Sequence, residues 1–250
     1  MIIALQNGIG PLERLRSSFG QATPPHGLAA VNTRPFWFNL QHAGQPVRTQ
    51  VLSRDLGGVA LQADHPEALA VAALLRQAGL PVHFGWAEEL LWSSVFWHLQ
   101  ANALSAILDR APQDIYRDPV WLAVELAQLR EALRVIDAQG VRLTALPGVN
   151  VPLMARQVRW LPRPALALAL SAHPRPPALR NDLQHHSGYS DAAYFNGAVA
   201  VAAQQHRLRA PINHALAVTL TDLAEGRLDW PRFKREPGLL QAALRLAQKG

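Results

Sequence analysis

The 250-residue chain has no cysteine and only two lysines, Lys234 and Lys249. The first absence excludes disulfides, thiolate chemistry and cysteine-held metals. The second leaves arginine to carry nearly all the positive charge, so the net +6 is dispersed rather than gathered into lysine-rich runs. No stretch interleaves basic and aromatic residues as a single-strand binder requires, and nucleic acid is not expected as a partner. The opening segment does not have the basic, apolar, small-residue order of a secretion leader. There is no internal repeat, phosphate loop, Gly-x-Ser-x-Gly elbow or HExxH pair. His185-His186 is the one histidine doublet, but adjacent side chains diverge and no carboxylate stands at ligand spacing, so no metal site is expected. The nearest approach to a membrane span is the uncharged run 90–108. It contains Ser93, Ser94, His98, Gln100 and Asn102, and reads as a buried core helix. The expected location is the cytoplasm.

What is present falls into two parts. Ile2-Ile3-Ala4-Leu5 is a short apolar run of the kind that forms a strand buried on both faces. Gln6 to Gly10 is a turn-forming stretch, and Pro11 to Leu15 reads as the first turns of a helix. Strand, loop, helix is a unit of a parallel sheet, whose strand needs neighbours on both sides. Further β-like runs lie at 28–32, 35–40, 47–52 and 58–61, with a helix over 65–78 closed by Gly79 and a short strand at 82–84. After Trp86 the pattern is helical. The spacing of apolar residues predicts helices over 87–109, 119–138, 151–160, 192–205, 213–224 and 238–248, with a short helix inside the proline-punctuated stretch 162–177. The expected fold class is α+β, with an incomplete α/β layer over 1–85 and an all-helical domain over 86–250. Trp92, Trp97 and Trp121 are expected to fill the core between helices, and Tyr189 and Tyr194 to pack.

Three stretches together resemble the ketopantoate reductase (2-dehydropantoate 2-reductase) family. The first is Leu5-Gln6-Asn7-Gly8-Ile9-Gly10. The second is the end of the long helix, Asn102-Ala103-Leu104-Ser105-Ala106-Ile107. The third is Ser190-Asp191-Ala192-Ala193-Tyr194-Phe195-Asn196-Gly197-Ala198-Val199, followed by Ala210-Pro211-Ile212-Asn213. The resemblance implies a Rossmann-type nucleotide-binding layer followed by a helical domain of the 6-phosphogluconate dehydrogenase C-terminal type. In that family the "QNG" loop lies well inside the nucleotide-binding domain, after strands that carry a glycine-rich fingerprint. Gly8 and Gly10 lack the third glycine and the downstream acid of such a fingerprint, so the chain is expected to begin in mid-domain.

The resemblance also implies a reaction, the NADPH-dependent reduction of a small 2-keto acid, ketopantoate to pantoate on the route to pantothenate and coenzyme A. It places the family's catalytic lysine at Ser94, its two substrate-gripping asparagines at His98 and Asn102, and its acidic residue at Asp191, with Asn196 also on the substrate side. Asn7 and Gly8 fall on the cofactor side. Residues 94, 98 and 102 are spaced i, i+4, i+8 and are expected on one helix face. Serine cannot replace an ammonium as proton donor. His98 is the substitute within reach, an imidazolium being able to donate a proton and attract a carboxylate near neutral pH. For each residue a structural role stands beside the chemical one. His98 can be a hydrogen-bonded core histidine, Asn102 can cap a buried backbone group, and Ser190 with Asp191 can cap the helix that follows. Two functions therefore stand open: a shortened or divergent reductase, or a non-catalytic helical module that keeps the fold and binds a partner. The expected partners are a small 2-keto acid and either a second copy or a separately encoded nucleotide-binding half.

Overall fold

The structure, a computed structural model, describes residues 2–5, 7–10, 27–33, 36–39, 48–51, 57–172, 178–184 and 188–249. The chain divides into two compact units. One comprises Met1–Asn7, Pro11–Ser94 and Leu143–Val151, and the other Gly8–Gly10, Val95–Arg142 and Pro152–Gly250. The expected helix at Pro11 to Leu15 and the histidines 185–186 lie outside the described residues.

In the first unit the strands are β1 (Ile2–Leu5), β2 (Gly27–Asn32), β3 (Phe36–Asn39), β4 (Arg48–Val51), β5 (Val59–Gln62) and β6 (Val82–Gly85). Four of them form a sheet in the order β1-β2-β5-β6, and β3 pairs with β4 in a separate antiparallel ribbon. The sheet is mixed: β1 with β2 and β5 with β6 are parallel, whereas β2 and β5 run antiparallel. Among the described residues β1 has β2 as its one neighbour, and Ile3 and Leu5 are 43% and 46% exposed. Helix α1 (Ala68–Gln77) lays Ala68, Val71 and Ala72 on Leu28, Ala30, Val59, Leu61 and Val82, an apolar core between helix and sheet. The helix starts later than its apolar period suggests because His65 forms a turn first. Its Nδ1 accepts the Glu67 N–H at 3.2 Å and its carbonyl accepts the Ala68 N–H at 3.0 Å.

One hydroxyl closes this unit. Thr33 Oγ1 donates to Pro147 O at 2.7 Å and accepts the Gly58 N–H at 3.0 Å, which joins the end of β2 to the start of β5 and to the 143–151 segment. Gly58 is packed so closely that a Cβ would stand 2.3 Å from Pro81 O.

The second unit is helical. It holds residues 95–99 of α2 (Ala87–Leu99), then α3 (Asn102–Leu108), α4 (Pro112–Arg117), α5 (Pro119–Ala138), α6 (Val151–Trp160), α7 (Arg163–Ser171) and α8 (Ala178–Gln184). A 3-10 turn over Asp191–Tyr194 precedes α9 (Asn196–Gln205), α10 (Pro211–Ala224), α11 (Trp230–Arg235) and α12 (Gly238–Lys249). The 20-residue α5 is the central element, buried over most of its circumference. Its limits follow from local chemistry. Asp118 accepts the N–H groups of Val120 and Trp121, Pro119 occupies the first helical position, and Gly140 ends the run at φ 69°.

Two expected helices are interrupted. The run 87–109 breaks at Gln100–Ala101, and the run 192–205 is a 3-10 turn followed by a separate α-helix. Trp92 and Trp121 are buried as expected and Trp97 is partly so. Tyr189 is 55% exposed rather than packed, because the next residue, Ser190, is the one that turns inward toward Asp182. No helix among the described residues is long and apolar enough to cross a membrane, and no three of their His, Asp and Glu side chains are placed to hold a metal.

The Thr33 junction makes a prediction. Thr33→Val keeps the shape but leaves Gly58 N–H and Pro147 O unpaired in a buried position, and is expected to cost about 2 kcal/mol of stability. Urea unfolding of the two proteins measures it, and an unchanged midpoint would show that the hydroxyl is dispensable.

Candidate functional site

The helix break at 100–101 organises this part of the molecule. Ala101 sits at φ 48°, a left-handed conformation that a non-glycine residue adopts only when something holds it there. What holds it is Glu125 on α5. Its Oε1 accepts the Ala101 N–H at 2.6 Å, and its Oε2 accepts from Gln128 Nε2 at 2.6 Å. Gln128 Nε2 also donates to Leu99 O at 3.1 Å, so the carbonyl freed by the break is satisfied as well. Gln128 Oε1 accepts from Asn196 Nδ2, which is shared with Asn213 Oδ1, both at 2.9 Å. Asn213 Nδ2 returns to Gln128 O and to Glu131 Oε2. Glu131 finally accepts the backbone N–H groups of Ile212 and Asn213 at 3.1 and 2.9 Å, capping the first turn of α10 with a carboxyl group. Glu125, Gln128, Glu131, Asn196 and Asn213 are all buried.

The electrostatics follow from that burial. Loss of water pushes the Glu125 carboxyl from its ordinary 4.5 up to about 8, against the opposing hydrogen bonds from Ala101 and Gln128. Burial raises Glu131 too, opposed by Asn213, Ile212 and the nearby Arg134. Burial and the Glu125 charge together hold the Tyr116 hydroxyl well above its usual range.

Around the segment Asp191–Asn196 several of the sequence-predicted residues meet. His98 is 2% exposed and lies flat against Phe195, ring centroids 5.0 Å apart at 4°, with Trp97 edge-on at 4.8 Å. Gly8 packs on the same segment: a Cβ there would come within 2.8 Å of Tyr194 Cβ and 2.9 Å of Tyr194 O, and Ile9 N–H donates to Tyr194 O at 3.1 Å. Asp191 is an exposed residue whose N–H donates to Asp182 Oδ2 at 3.0 Å, and partial desolvation raises its carboxyl. The cap of the 3-10 turn is Ser190, whose Oγ accepts the Ala192 N–H at 3.2 Å.

The break moves Asn102 off the face expected for it. It opens α3 instead of continuing α2, and its Oδ1 accepts the Leu179 N–H at 3.0 Å in the first turn of α8. Asn102 therefore caps a buried backbone group, while its Nδ2 is buried without a hydrogen-bond partner. Asn196 spends its amide N–H groups on Gln128 and Asn213, and its Oδ1 is likewise buried and open. Ser94 is buried on the part of α2 that belongs to the first unit, and Asn7, also in that unit, has a buried Oδ1 without a partner. Sequence reasoning missed Glu125, Gln128 and Glu131. The available signal was a carboxylate at 125 in helical phase with Leu122, Leu129 and Ala132, a polar residue inside an apolar stripe.

The profile of the family "Ketopantoate reductase PanE/ApbA C terminal" matches residues 87–224, more than half of the chain. The chain belongs to the ketopantoate reductase family. No curated protein matches the sequence. Among solved structures, a PanE/ApbA family ketopantoate reductase from Ralstonia eutropha JMP134 superimposes with a TM-score of 0.66 at 22% identity, over 90% of this chain and 67% of that one. D-mandelate dehydrogenase in complex with NADH gives 0.65 at 19% identity, covering 91% of this chain and 70% of that one. A 2-dehydropantoate 2-reductase from Geobacter metallireducens GS-15 gives 0.63 at 19%, covering 90% and 68%. These likenesses establish the partial Rossmann layer and the helical carboxy-terminal part as the family's fold.

The family implies a nicotinamide dinucleotide, and the described residues do not by themselves cradle one. The close approach that Gly8 permits is used by Tyr194, a protein contact, and Gly10 faces the Tyr194 ring. The open Asn7 Oδ1 is a single acceptor. A phosphate needs several convergent N–H groups.

Two predictions follow from this geometry. Glu125 and Glu131 bind more protons in the folded than in the unfolded chain at pH values above their unfolded titration. Stability therefore declines as pH rises from about 4.5 to about 8 and levels off beyond, and Glu125→Gln flattens most of that slope. Urea unfolding across this range tests it, and a slope unchanged in the variant would remove Glu125 as its source. Gly8→Ala drives a methyl into Tyr194 and is expected to free the Gly8–Gly10 loop, read as faster amide exchange at Ile9.

Proposed function

We propose that this chain carries the substrate-binding part of an NADPH-dependent reductase of small 2-oxo acids, with ketopantoate as the first substrate to test. The single observation that supports the reading most is the meeting, within one helical unit of a ketopantoate reductase-family chain, of Gly8, the Asp191 turn and the His98–Phe195 stack. Reduction of a 2-oxo acid places a hydride on the carbonyl carbon and a proton on its oxygen. Hydride delivery belongs to a nucleotide-binding half supplied by another segment or chain. This chain's share is to bind and orient the acid and to provide the proton. His98 is the proton donor in this reading, Asp191 with its raised carboxyl pKa orients the acid's hydroxyl or the donor, and the open Nδ2 of Asn102 and the amide of Asn196 serve the substrate side. Asn7 and Gly8 stand on the cofactor side. The setting in this reading is the cytoplasm, and the protein partner is either a second copy or a separately encoded nucleotide-binding half.

A second reading has a specific observation in its favour. Serine stands at the lysine position, and the side chains of Asn102 and Asn196 already hold protein groups. A helical module that has kept the fold and lost the chemistry accounts for both.

The experiments separate them. The isolated chain is expected not to bind NADPH, and a micromolar dissociation constant by calorimetry would contradict the assignment of the cofactor to another half. In a fusion that supplies a family nucleotide-binding half, His98→Ala is expected to abolish ketopantoate-dependent NADPH oxidation. Ser94→Lys in the same fusion is expected to raise it by about a hundredfold or more, the scale of general-acid help. The ammonium would enter a buried position and needs a carboxylate to stay charged there. If neither substitution alters turnover, the helix is structural and the module reading holds.

A further inference from the structure

The setting of the His98 imidazole is fixed by the two residues that flank the stack. Leu99 follows His98, and Asn196 follows Phe195; both are held by one side chain. Gln128 donates from Nε2 to Leu99 O and accepts at Oε1 from Asn196 Nδ2. A carboxamide can be placed either way round, and the wrong way here would set Oε1 against Leu99 O and Nε2 against Asn196 Nδ2. Both contacts would turn repulsive. Glu125 decides between them. Its Oε2 accepts from Gln128, and its Oε1 takes the Ala101 N–H that fixes the left-handed turn before α3.

We infer that Glu125 is a positioning residue: its two acceptor oxygens fix the direction of the Gln128 amide and the turn at Ala101, and so register His98 against Phe195 and set Asn102 at the head of α3. The geometry stands on the hydrogen bonds themselves, and its purpose rests on the 2-oxo acid reading of His98 and Asn102. Among the described residues, two further groups are tied to this titration or stand beside it. Tyr116 on α4 feels the Glu125 charge, and Glu131 on α5 titrates in its own right beside Arg134. His98 on α2 is itself titratable.

The test is nuclear magnetic resonance on the full chain, with the His98 ring signals assigned from His98→Gln. In the wild type the Ala101 amide and the His98 ring protons are expected to step together with the Glu125 carboxyl carbon near its pKa of about 8. A Glu125 titration that leaves both signals still overturns the inference, and needs no variant. Glu125→Gln keeps the shape but offers one acceptor oxygen to two donors, so either the Ala101 N–H or Gln128 Nε2 is left facing an N–H, and it is expected to remove the ring-current shift that Phe195 imposes on His98. Asp118→Ala, which strips the cap from the same helix, lowers the melting temperature but leaves the His98 signal in place. If Asp118→Ala moves His98 as far as Glu125→Gln does, the effect is general loosening and the inference fails. Titration with ketopantoate then separates purpose from geometry. Shifts at His98 and Asn102 that need at least about tenfold more ketopantoate in Glu125→Gln support both. No shift in the wild type counts against the 2-oxo acid reading, while the His98 response to Glu125→Gln continues to carry the positioning role.

Discussion

A carboxamide sealed away from water must match each neighbour, donor to acceptor, and Gln128 is such a group. Its N–H atoms face Leu99 O and Glu125, its oxygen faces Asn196, and its backbone carbonyl takes Asn213. Four elements of the helical unit meet at this one residue: the end of α2, then α5, α9 and α10. Apolar packing alone would let these helices slide, since Leu, Ala and Val contacts have little directional preference. Hydrogen bonds in a dry interior have a strong one, and a half-satisfied network costs more than none. The register of the unit is thus set by polar groups embedded in an apolar mass of Phe96, Leu99, Leu104, Leu126 and Leu129.

The consequence for the site is a division of labour along one stretch of chain. Of the residues that the family resemblance marks, His98 and Gly8 meet the 191–196 segment directly, whereas Asn102 reaches it through α8: Asn102 holds Leu179, and Asp182, three residues on, holds the Asp191 N–H. The buried open atoms of Asn102 and Asn196 are the exceptions in a network that is otherwise closed. Buried polar atoms without partners are uncommon in proteins, and each one calls for a physical reason.

Where the sequence made its intentions local, they were legible. Asp118-Pro119 and Gly140 bracket α5, and α6 runs over the residues that its apolar spacing marks, because caps and periodicity are properties of neighbouring residues. The strands of the first unit were also visible as apolar runs, but the antiparallel pairing of β2 with β5 was not, since strand direction depends on the connection and leaves no residue signature. The break at Gln100–Ala101 was illegible for a sharper reason. Neither residue is a helix breaker; the break is imposed by Glu125, 24 positions away in sequence. The same long-range bond defeated the expectation that 94, 98 and 102 share a face. Likewise Asp191 and Ser190 were read as candidates for a cap, and the serine is the one that caps.

The interior carboxyl at 125 also divides the molecule's response to its solvent. Its hydrogen-bond donors are a backbone amide and a carboxamide, dipoles without net charge, and it lies at zero exposure. Mobile ions cannot enter that space, so added salt has nothing to screen there. The ion pairs at the surface, Arg159 with Asp137 and Arg227 with Asp222, are open to that screening and contribute little once it acts. High ionic strength therefore weakens the ion pairs of the exterior and leaves the hydrogen bonds that Glu125 receives in the interior untouched.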